Sequence, residues 1–466
     1  MSDHPGNPGP ASGPAVTDPT GKPRELWGTR IGFIMAAVGS AIGLGNMWRF
    51  SYTTAEHGGA AFVLLYILLT LIIGIPVMIA EFGIGRSARL SPIGALRKVG
   101  GRGWAPLGYL FVLTGFLILA YYSVIAGWVV RYAVDALRSP FPADAGGYFG
   151  EIATGPDAVA FHLVFMALTI FIVMGGVKKG IERASLLMMP LLVIIVAGLA
   201  VFAATLDGAG EGYRFYLTPS VEELLSLETL GAAAGQAFFS LSLGMGAMLT
   251  YASYLSRESS LPNESATIAF SDFGIAFVAG LVVFPVIFAL GLQQQVGEST
   301  VGALFIALPG AFEAMGAVGR VVGILFFTAL FIGAITSAVS LLEVVTSSVI
   351  DEFKLSRKAA ALGAGGLIAA LGILPALDLV WLDVFDSLTG NVFLPLGGLA
   401  IAILVGWRLP NAVDMVARGA SASMANMLRG WRWTLAFIVP PLLVLVLWNT
   451  SQAAWATFAG IFGGGS

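Results

Sequence analysis

Long runs of apolar residues recur along the whole chain and restrict its fold more than any other feature. Three of them span residues 60–84, 107–130 and 159–177. Each is close to the roughly 20 residues that a helix needs to cross the hydrocarbon core of a bilayer. Hydrophobic residues make up 57% of the 466 positions and charged residues only 11%, which is roughly half the charged share of a soluble domain. The sequence therefore predicts an all-α polytopic membrane protein.

The apolar runs predict about eleven transmembrane helices. The predicted segments are 27–53, 58–86, 104–138, 158–177, 181–206, 229–256, 265–293, 320–353, 359–374, 380–407 and 431–450. We expect a single transmembrane domain at 24–452, because no long linker separates the segments. Residues 1–23 hold six prolines and four glycines and are expected to form a disordered cytoplasmic tail. A short C-terminal tail is expected at 453–466.

Lysine and arginine are distributed unevenly between the two ends of these segments. If the N-terminus lies in the cytoplasm, 19 of the 24 basic residues fall on the cytoplasmic side, as the positive-inside rule requires. An odd number of spans then places the C-terminus outside. We expect a multi-pass protein of the cell's inner (plasma) membrane.

Several classes of function are disfavoured by what the sequence lacks. There is no cysteine, and His4, His57 and His162 lie far apart, which argues against a thiolate or histidine-rich metal site. A net charge of −3 without a long basic run argues against nucleic acid as a partner. The phosphate-binding loop of an ATP-driven pump is absent. We also expect no enzyme activity, no catalytic residue and no organic cofactor.

Two segments contain residues that interrupt a helix at mid-span. The first carries three glycines within 39–45, and the sixth carries two within 240–246. Each glycine destabilises a helix interior by about 1 kcal/mol relative to alanine. Close packing between helices is one interpretation of such clusters, and the binding site of a transporter is the other. Asn46, Ser240 and Ser242 favour the second interpretation, because polar groups in these stretches need partners.

Six motifs give the chain a resemblance to a known family. They lie at 27–30, 39–50, 180–183, 238–246, 250–254 and 351–357. In kind and order they are similar to those of the neurotransmitter:sodium symporter family, and specifically of its bacterial amino-acid members with the LeuT-like fold. The resemblance implies a 5+5 inverted repeat in which helices 1 and 6 are unwound. It places repeat one at about 27–206, repeat two at about 229–407 and an extra helix at about 431–450.

The resemblance also implies sodium-coupled symport of an amino acid by alternating access. The substrate carboxylate is expected at the backbone amides of Leu44 and Gly45, at the start of a half-helix, and at the hydroxyl of Tyr122. Members that carry monoamines have an aspartate at the position of Gly43, so an amino acid is expected here. Apolar walls favour a hydrophobic or aromatic one. The expected substrate-binding residues are Ser40, Ala41, Leu44, Gly45, Ile118, Tyr122, Phe239, Ser240, Ser242, Met245, Ser337 and Leu341.

Two sodium ions are implied beside this pocket. The first would be held by Ala41, Asn46, Ser240, the substrate carboxylate and one residue of the seventh helix, for which Ser271 and Asp272 are the alternatives. We favour Asp272, because an aspartate in an apolar span is costly unless it is paired or bound to a cation. Local capping is the other interpretation of this residue. A fixed negative charge would replace the chloride that other members need, so chloride-independent transport is expected. The second site would use Gly39, Ile42, Gly333, Thr336 and Ser337.

Alternating access requires gates, and the resemblance supplies one at each end. Exposed ion pairs contribute only about 0–1 kcal/mol, which suits a contact that opens in every cycle. Two further intramembrane acids, Glu81 and Glu343, are interpreted as structural acceptors for the unwound backbone. The expected gate residues are Arg49 and Asp386 on the outer side, and Arg24, Asp351, Trp27 and Tyr254 on the cytoplasmic side.

Other functions are kept as alternatives. A transporter-like sensor would bind the amino acid without moving it, although we see no soluble signalling domain. A symporter of another small amine or zwitterion would use the same architecture, whereas a channel would need no amino-acid-shaped site. The expected partners are the small amino acid and the lipid bilayer. The oligomeric state does not follow from the sequence.

Overall fold

The computed structural model describes residues 25–256, 258–292, 303–419 and 421–462. Within these ranges the chain is built from helices without a strand. The predicted tail at 1–23 and the expected gate residue Arg24 lie outside the described residues.

The first and sixth membrane helices are each broken into two pieces. Helix α1 consists of α1a, Arg30–Ala41, and α1b, Gly45–Glu56, which are bent by 58° relative to each other. Helix α6 consists of α6a, Leu227–Ser240, and α6b, Ala247–Ala252.

Nine further helices in the described ranges are each long and apolar enough to cross a membrane. They are α2 at Ala60–Ala88, α3 at Arg102–Arg138, α4 at Pro156–Met174, α5 at Val177–Ala203, α7 at Leu261–Ala289, α8 at Gly316–Phe353, α9 at Arg357–Leu377, α10 at Leu379–Arg408 and α11 at Asn426–Ile461. Together with the two broken helices they match the eleven predicted segments in order and position.

The breaks arise from backbone that cannot continue a helix. In α1, Ile42 is extended (φ −78°, ψ 94°), and two glycines follow within three residues. In α6, Ser242, Gly244 and Gly246 all have positive φ values, of 53°, 76° and 76°. An added Cβ at Gly244 would overlap the carbonyl oxygen of Leu394 in α10, so this glycine is required by close approach as well as by its φ.

The α1a half-helix packs against α5, α7 and α8. Helix α8 is 38 residues long and packs along α3 as well. Residues 42–44 and 241–246, which separate the half-helices, are buried inside the bundle, and α6b packs against α8 as α1a does.

The last helix is longer than the sequence predicts. Its helical backbone runs one residue past the apolar span, to Phe462, so residues 453–462, expected as part of a tail, extend α11. The longer connections also hold short helices, including Ala145–Ile152 and Ala209–Leu217. Below, the end of the bundle with Glu25 and Arg357 is called the N-terminal side, and the end with Arg49 and Asp386 the far side.

Candidate substrate and ion site

A small cavity of about 30 Å³ lies where the broken helices face α3 and α8. Ten of the twelve expected substrate-binding residues line it, and Gly43 joins them. The other two, Leu44 and Ser240, border it through the contacts described below. The lining residues are Ser40, Ala41, Gly43, Gly45, Ile118, Tyr122, Phe239, Ser242, Met245, Ser337 and Leu341.

Tyr122 of α3 reaches the unwound backbone of α1. Its hydroxyl accepts a hydrogen bond from the Leu44 amide at 3.1 Å, while the Leu44 side chain is fully buried. Leu44 therefore offers its amide, and not its side chain, to this region. The amide lies at the start of α1b, where free N–H groups and the helix dipole favour an anion.

Two glycines keep the cavity open. A Cβ on Gly43 would lie 2.5 Å from Ser337 Oγ and 2.9 Å from Tyr122 Oη. A Cβ on Gly45 would lie 2.7 Å from the ring of Phe239. Any side chain at either position would therefore occupy the space that a ligand needs.

Serine hydroxyls join the two broken helices to α8. The Ser242 hydroxyl donates to the Ser40 carbonyl at 2.9 Å. The Ser40 hydroxyl in turn donates to Ser340 Oγ at 2.7 Å. Ser340 was missed by the sequence reasoning, although a buried hydroxyl in an apolar span is a usable signal because it needs a partner.

Asp272 of α7 is fully buried and lies in a polar cluster beside the cavity. The Asn46 side-chain amide donates to Asp272 Oδ1 at 2.7 Å. The hydroxyls of Ser240 and Tyr66 donate to Asp272 Oδ2 at 2.7 and 2.9 Å. Asn46 Oδ1 accepts from the Gly43 amide at 3.2 Å, which links the cluster to the cavity wall.

The structure thus places Asp272, and not the half-buried Ser271, next to Asn46 and Ser240. Ala41, the remaining expected member of the first ion site, lines the adjoining cavity. Tyr66 was not anticipated. A tyrosine hydroxyl inside an apolar segment needs a buried partner, and that requirement could have identified it.

The five residues expected at the second ion site also lie together. Ser337 Oγ is 3.3 Å from the Gly39 carbonyl oxygen, and Thr336 Oγ1 is 3.1 Å from the Gly333 carbonyl oxygen. A Cβ on Gly333 would lie 3.5 Å from the Ile42 carbonyl oxygen. The ligand atoms available at both expected sites, from side chains and backbone, are oxygens, which hard cations such as sodium prefer.

The two residues expected to form the outer gate lie together on the far side. Arg49 Nη1 lies 3.7 Å from Asp386 Oδ1, and the Arg49 guanidinium lies 4.8 Å from the ring centroid of Phe239. The Tyr121 hydroxyl donates to Asp386 Oδ1 at 2.8 Å, a contact that the sequence reasoning missed. Beyond this pair a wider cavity of about 690 Å³ opens between α1b, α6a, α10 and α11.

The expected cytoplasmic gate is described in part, because Arg24 lies outside the described residues. Trp27 donates its indole N–H to the Tyr251 carbonyl at 2.9 Å and its amide to the Tyr254 carbonyl at 3.2 Å. Asp351 accepts from the Ser91 amide at 2.6 Å. Trp27 therefore fastens the start of α1a to the end of α6b.

The two further acids have different roles. Glu81 accepts from the Gly244 amide at 2.8 Å, so the predicted contact with unwound backbone is confirmed there. For Glu343 the prediction is wrong. Its carboxylate accepts from the Tyr254 hydroxyl at 2.6 Å and from both terminal nitrogens of Arg357 at 2.7 and 3.0 Å. A fully buried carboxylate binds a guanidinium here, because charge pairing stabilises it more than a single amide would.

Comparison with solved structures gives a match over almost the whole fold. The crystal structure of MhsT in complex with L-phenylalanine has a TM-score of 0.84 and 41% sequence identity to this chain. The match covers 92% of this chain and all of that one. The LeuT-like architecture with unwound helices 1 and 6 is therefore confirmed.

Sequence comparisons agree. A sodium-dependent transporter of Bacillus subtilis, YhdH, is 36% identical over 442 residues, which are 91% of this chain and 97% of that protein. The bovine sodium-dependent neutral amino acid transporter B(0)AT2 is 29% identical over 308 residues, 59% of this chain and 41% of its own length. The profile of the Sodium:neurotransmitter symporter family matches residues 24–148 and 153–457. The chain belongs to this family of sodium-dependent membrane transporters.

Proposed function

We propose that the protein is a symporter that couples the entry of a hydrophobic or aromatic amino acid to sodium and does not require chloride. The observation that carries this proposal is the buried carboxylate of Asp272 within 2.7 Å of both Asn46 and Ser240, beside a cavity bordered by the backbone amides at the start of α1b. A negative charge, an oxygen-rich cluster and an anion-favouring helix start are adjacent there.

Charge balance supports chloride independence. A buried carboxylate costs several kcal/mol unless it is paired, and the contacts of Asp272 come from neutral side chains of Asn46, Ser240 and Tyr66. A sodium ion in this cluster would supply the missing positive charge. The protein's own carboxylate then occupies the role that a chloride ion would otherwise have.

The walls of the cavity support the substrate class. Ile118, Phe239, Met245 and Leu341 supply apolar surface, which suits an apolar side chain. The amide of Leu44 and the hydroxyl of Tyr122, in contrast, are polar and suit the carboxylate of the substrate. The neighbour of this chain that was solved with L-phenylalanine is consistent with that assignment.

Coupling follows from shared groups. In the proposed complex the substrate carboxylate completes the coordination of the first sodium ion, so each ligand lowers the binding free energy of the other. The second ion would bind the carbonyls of Gly39, Ile42 and Gly333 with the hydroxyls of Thr336 and Ser337. It would thus join α1a to α8 while the substrate is bound.

We assign the N-terminal side to the cytoplasm and the far side to the outside of the inner (plasma) membrane, which follows the distribution of lysine and arginine. The C-terminus is then outside. In this orientation the Arg49–Asp386 pair closes the outer path, and the contacts of Trp27 and Tyr254 close the cytoplasmic path.

The proposal is tested by transport into proteoliposomes. Purified protein is screened for binding of the twenty amino acids in sodium and in potassium, and bound amino acids are then tested for uptake with chloride replaced by gluconate. Sodium-dependent uptake of an apolar or aromatic amino acid that survives chloride removal supports the proposal. Binding without uptake would instead indicate a sensor, and equal uptake in both cations would exclude sodium coupling.

A further inference from the structure

The starts of α1a and α5 are joined by two carboxylates, one from each segment. Glu25, which precedes α1a, accepts a hydrogen bond from the Val177 amide at the first residue of α5 at 2.7 Å. Glu182, in the first turns of α5, accepts from the Gly28 amide at 2.7 Å and from the Thr29 hydroxyl at 2.8 Å. Each helix start is therefore contacted by an acid from the other.

Both acids occupy places where a carboxylate is favoured. The first amides of a helix lack partners within the helix, and the helix dipole attracts negative charge. Thr29 is the N-cap of α1a, since its hydroxyl accepts from the Gly32 amide at 2.9 Å. Because that hydroxyl also donates to Glu182, the cap and the carboxylate form one connected set of hydrogen bonds.

Glycines on both sides make room for these carboxylates. A Cβ on Gly176, which has φ +82°, would lie 2.7 Å from Glu25 Oε1. A Cβ on Gly28 would lie 3.1 Å from Glu182 Oε2, and one on Gly32 would overlap the Glu182 carboxylate. Residues larger than glycine at these three positions would therefore collide with the carboxylates.

The contact continues along the two helices towards the proposed ion sites. A Cβ on Gly39 would lie 3.3 Å from Met189 Sδ of α5. Helix α1a has only 12 residues, about 18 Å of rise, between this contact and the break at Ile42. A movement at its first residue is therefore transmitted to carbonyls proposed to hold sodium.

We propose that Glu25, Gly28, Thr29, Val177 and Glu182 form a clasp that holds α1a and α5 together and must open when the cytoplasmic path opens. This inference rests on the proposed alternating access. Glu25 and Glu182 are positioning residues, because they act on the ion site through α1a. Glu25 is half exposed and also lies 3.7 Å from Arg357, whereas Glu182 is buried, so Glu182 carries the larger share of the closure.

The clasp is tested by the reactivity of one introduced thiol. The chain has no cysteine, so Ser185→Cys gives a single thiol. Ser185 is buried on α5 between Glu182 and Met189, on the face that meets α1a. Labelling of the purified full chain by a water-soluble maleimide then reports how often the two helices separate, without requiring substrate or transport.

In this background, Glu182→Gln should accelerate labelling roughly tenfold, because a charge-assisted hydrogen bond is lost from the closed state. Glu25→Gln should accelerate it less. The double variant should add little to Glu182→Gln alone, since one clasp opens as a unit. Gly32→Ala provides a second test, because the added methyl group displaces the Glu182 carboxylate without removing it. This variant should also accelerate labelling.

The control is Glu352→Gln, which removes a carboxylate on the same side that pairs with Arg97 at 2.9 Å but does not join α1a to α5. Its labelling rate should equal that of Ser185→Cys alone. Unchanged labelling in the clasp variants, even with reduced thermal stability, would make the acids merely structural and overturn the clasp. Multiplying effects of the single variants would show two independent caps and overturn it as well. Faster labelling in a protein that shows no sodium-dependent uptake would keep the clasp and reject the proposed function.

Discussion

The side-chain amide of Asn46 in α1b donates to the carboxylate of Asp272 in α7 at 2.7 Å. This contact joins the start of α1b to the buried carboxylate of α7. The same asparagine accepts from the Gly43 amide in the cavity wall. One residue thus connects the proposed ion site with the proposed substrate site.

Asp272→Asn should create a chloride requirement or weaken sodium dependence. The substitution removes the buried negative charge while keeping the size of the side chain, so an anion must balance the sodium charge or the ion binds more weakly. Uptake measured against sodium concentration, in chloride and in gluconate, checks this. Ser271→Ala is the matched control and should behave as the parent protein. An unchanged sodium and chloride profile for Asp272→Asn would remove this residue from the ion site.

Tyr122→Phe should weaken substrate binding about tenfold, the effect expected for one hydrogen bond to a charged group. The phenol lies 3.1 Å from the Leu44 amide, where the carboxylate is proposed to bind. Equilibrium binding of the amino acid in sodium measures the effect. Tyr109→Phe, at an exposed position of α3, is the control. Equal affinity in both variants would exclude Tyr122 from the carboxylate site.

Gly43→Ala should abolish amino-acid binding while the protein still folds. The added Cβ would lie 2.5 Å from Ser337 Oγ and 2.9 Å from Tyr122 Oη, within the space proposed for the substrate. Gly198→Ala in α5 is a matched control, because nothing lies within 4 Å of its added Cβ. Binding and thermal unfolding in detergent are measured for both. Full binding by Gly43→Ala would place the substrate elsewhere.

Tyr121→Phe should slow transport more than it weakens binding. The lost hydrogen bond frees Asp386, the partner of Arg49 in the proposed outer gate, and the cavity wall itself is unchanged. A fall in maximal uptake of about tenfold, as for one hydrogen bond to a charged group, is expected with little change in the concentration for half-maximal uptake. The reverse pattern would argue for a contact with substrate instead of a gate.

Glu343→Gln should destabilise the protein by about 3 kcal/mol, because it removes the buried partner of the Arg357 guanidinium and leaves only the longer 3.7 Å contact to the half-exposed Glu25. Thermal unfolding in detergent measures this. Glu352→Gln breaks a more exposed pair with Arg97 and should cost only about 0–1 kcal/mol. Equal losses for the two variants would contradict the difference in burial on which the prediction rests.

The sequence predicted the spans and the breaks well because both depend on local chemistry. Apolar runs of about 20 residues indicate a membrane span whatever surrounds them, and glycine clusters weaken a helix regardless of its neighbours. The choice between Ser271 and Asp272 depends on the rotation of α7 about its axis, which buries Asp272 beside Asn46 and leaves Ser271 half buried.

Contacts between distant segments were harder to predict. Glu343 was expected to bind unwound backbone, as Glu81 does, but Arg357 lies 14 residues later at the start of α9 and turns back onto it. Tyr66 and Tyr121 were missed for a related reason. Their hydroxyls bond to acids more than 200 residues away, and no local pattern encodes such a partner.

Ser242 keeps a left-handed backbone, with φ 53°, where glycine would avoid a strain of about 1–2 kcal/mol. Its hydroxyl bridges the two broken helices through the Ser40 carbonyl. A search for heat-resistant variants should therefore enrich Ser242→Gly. The more stable protein would lack the hydrogen bond that joins the two broken helices, α1 and α6. Thermal stability therefore favours glycine at position 242, whereas transport favours serine.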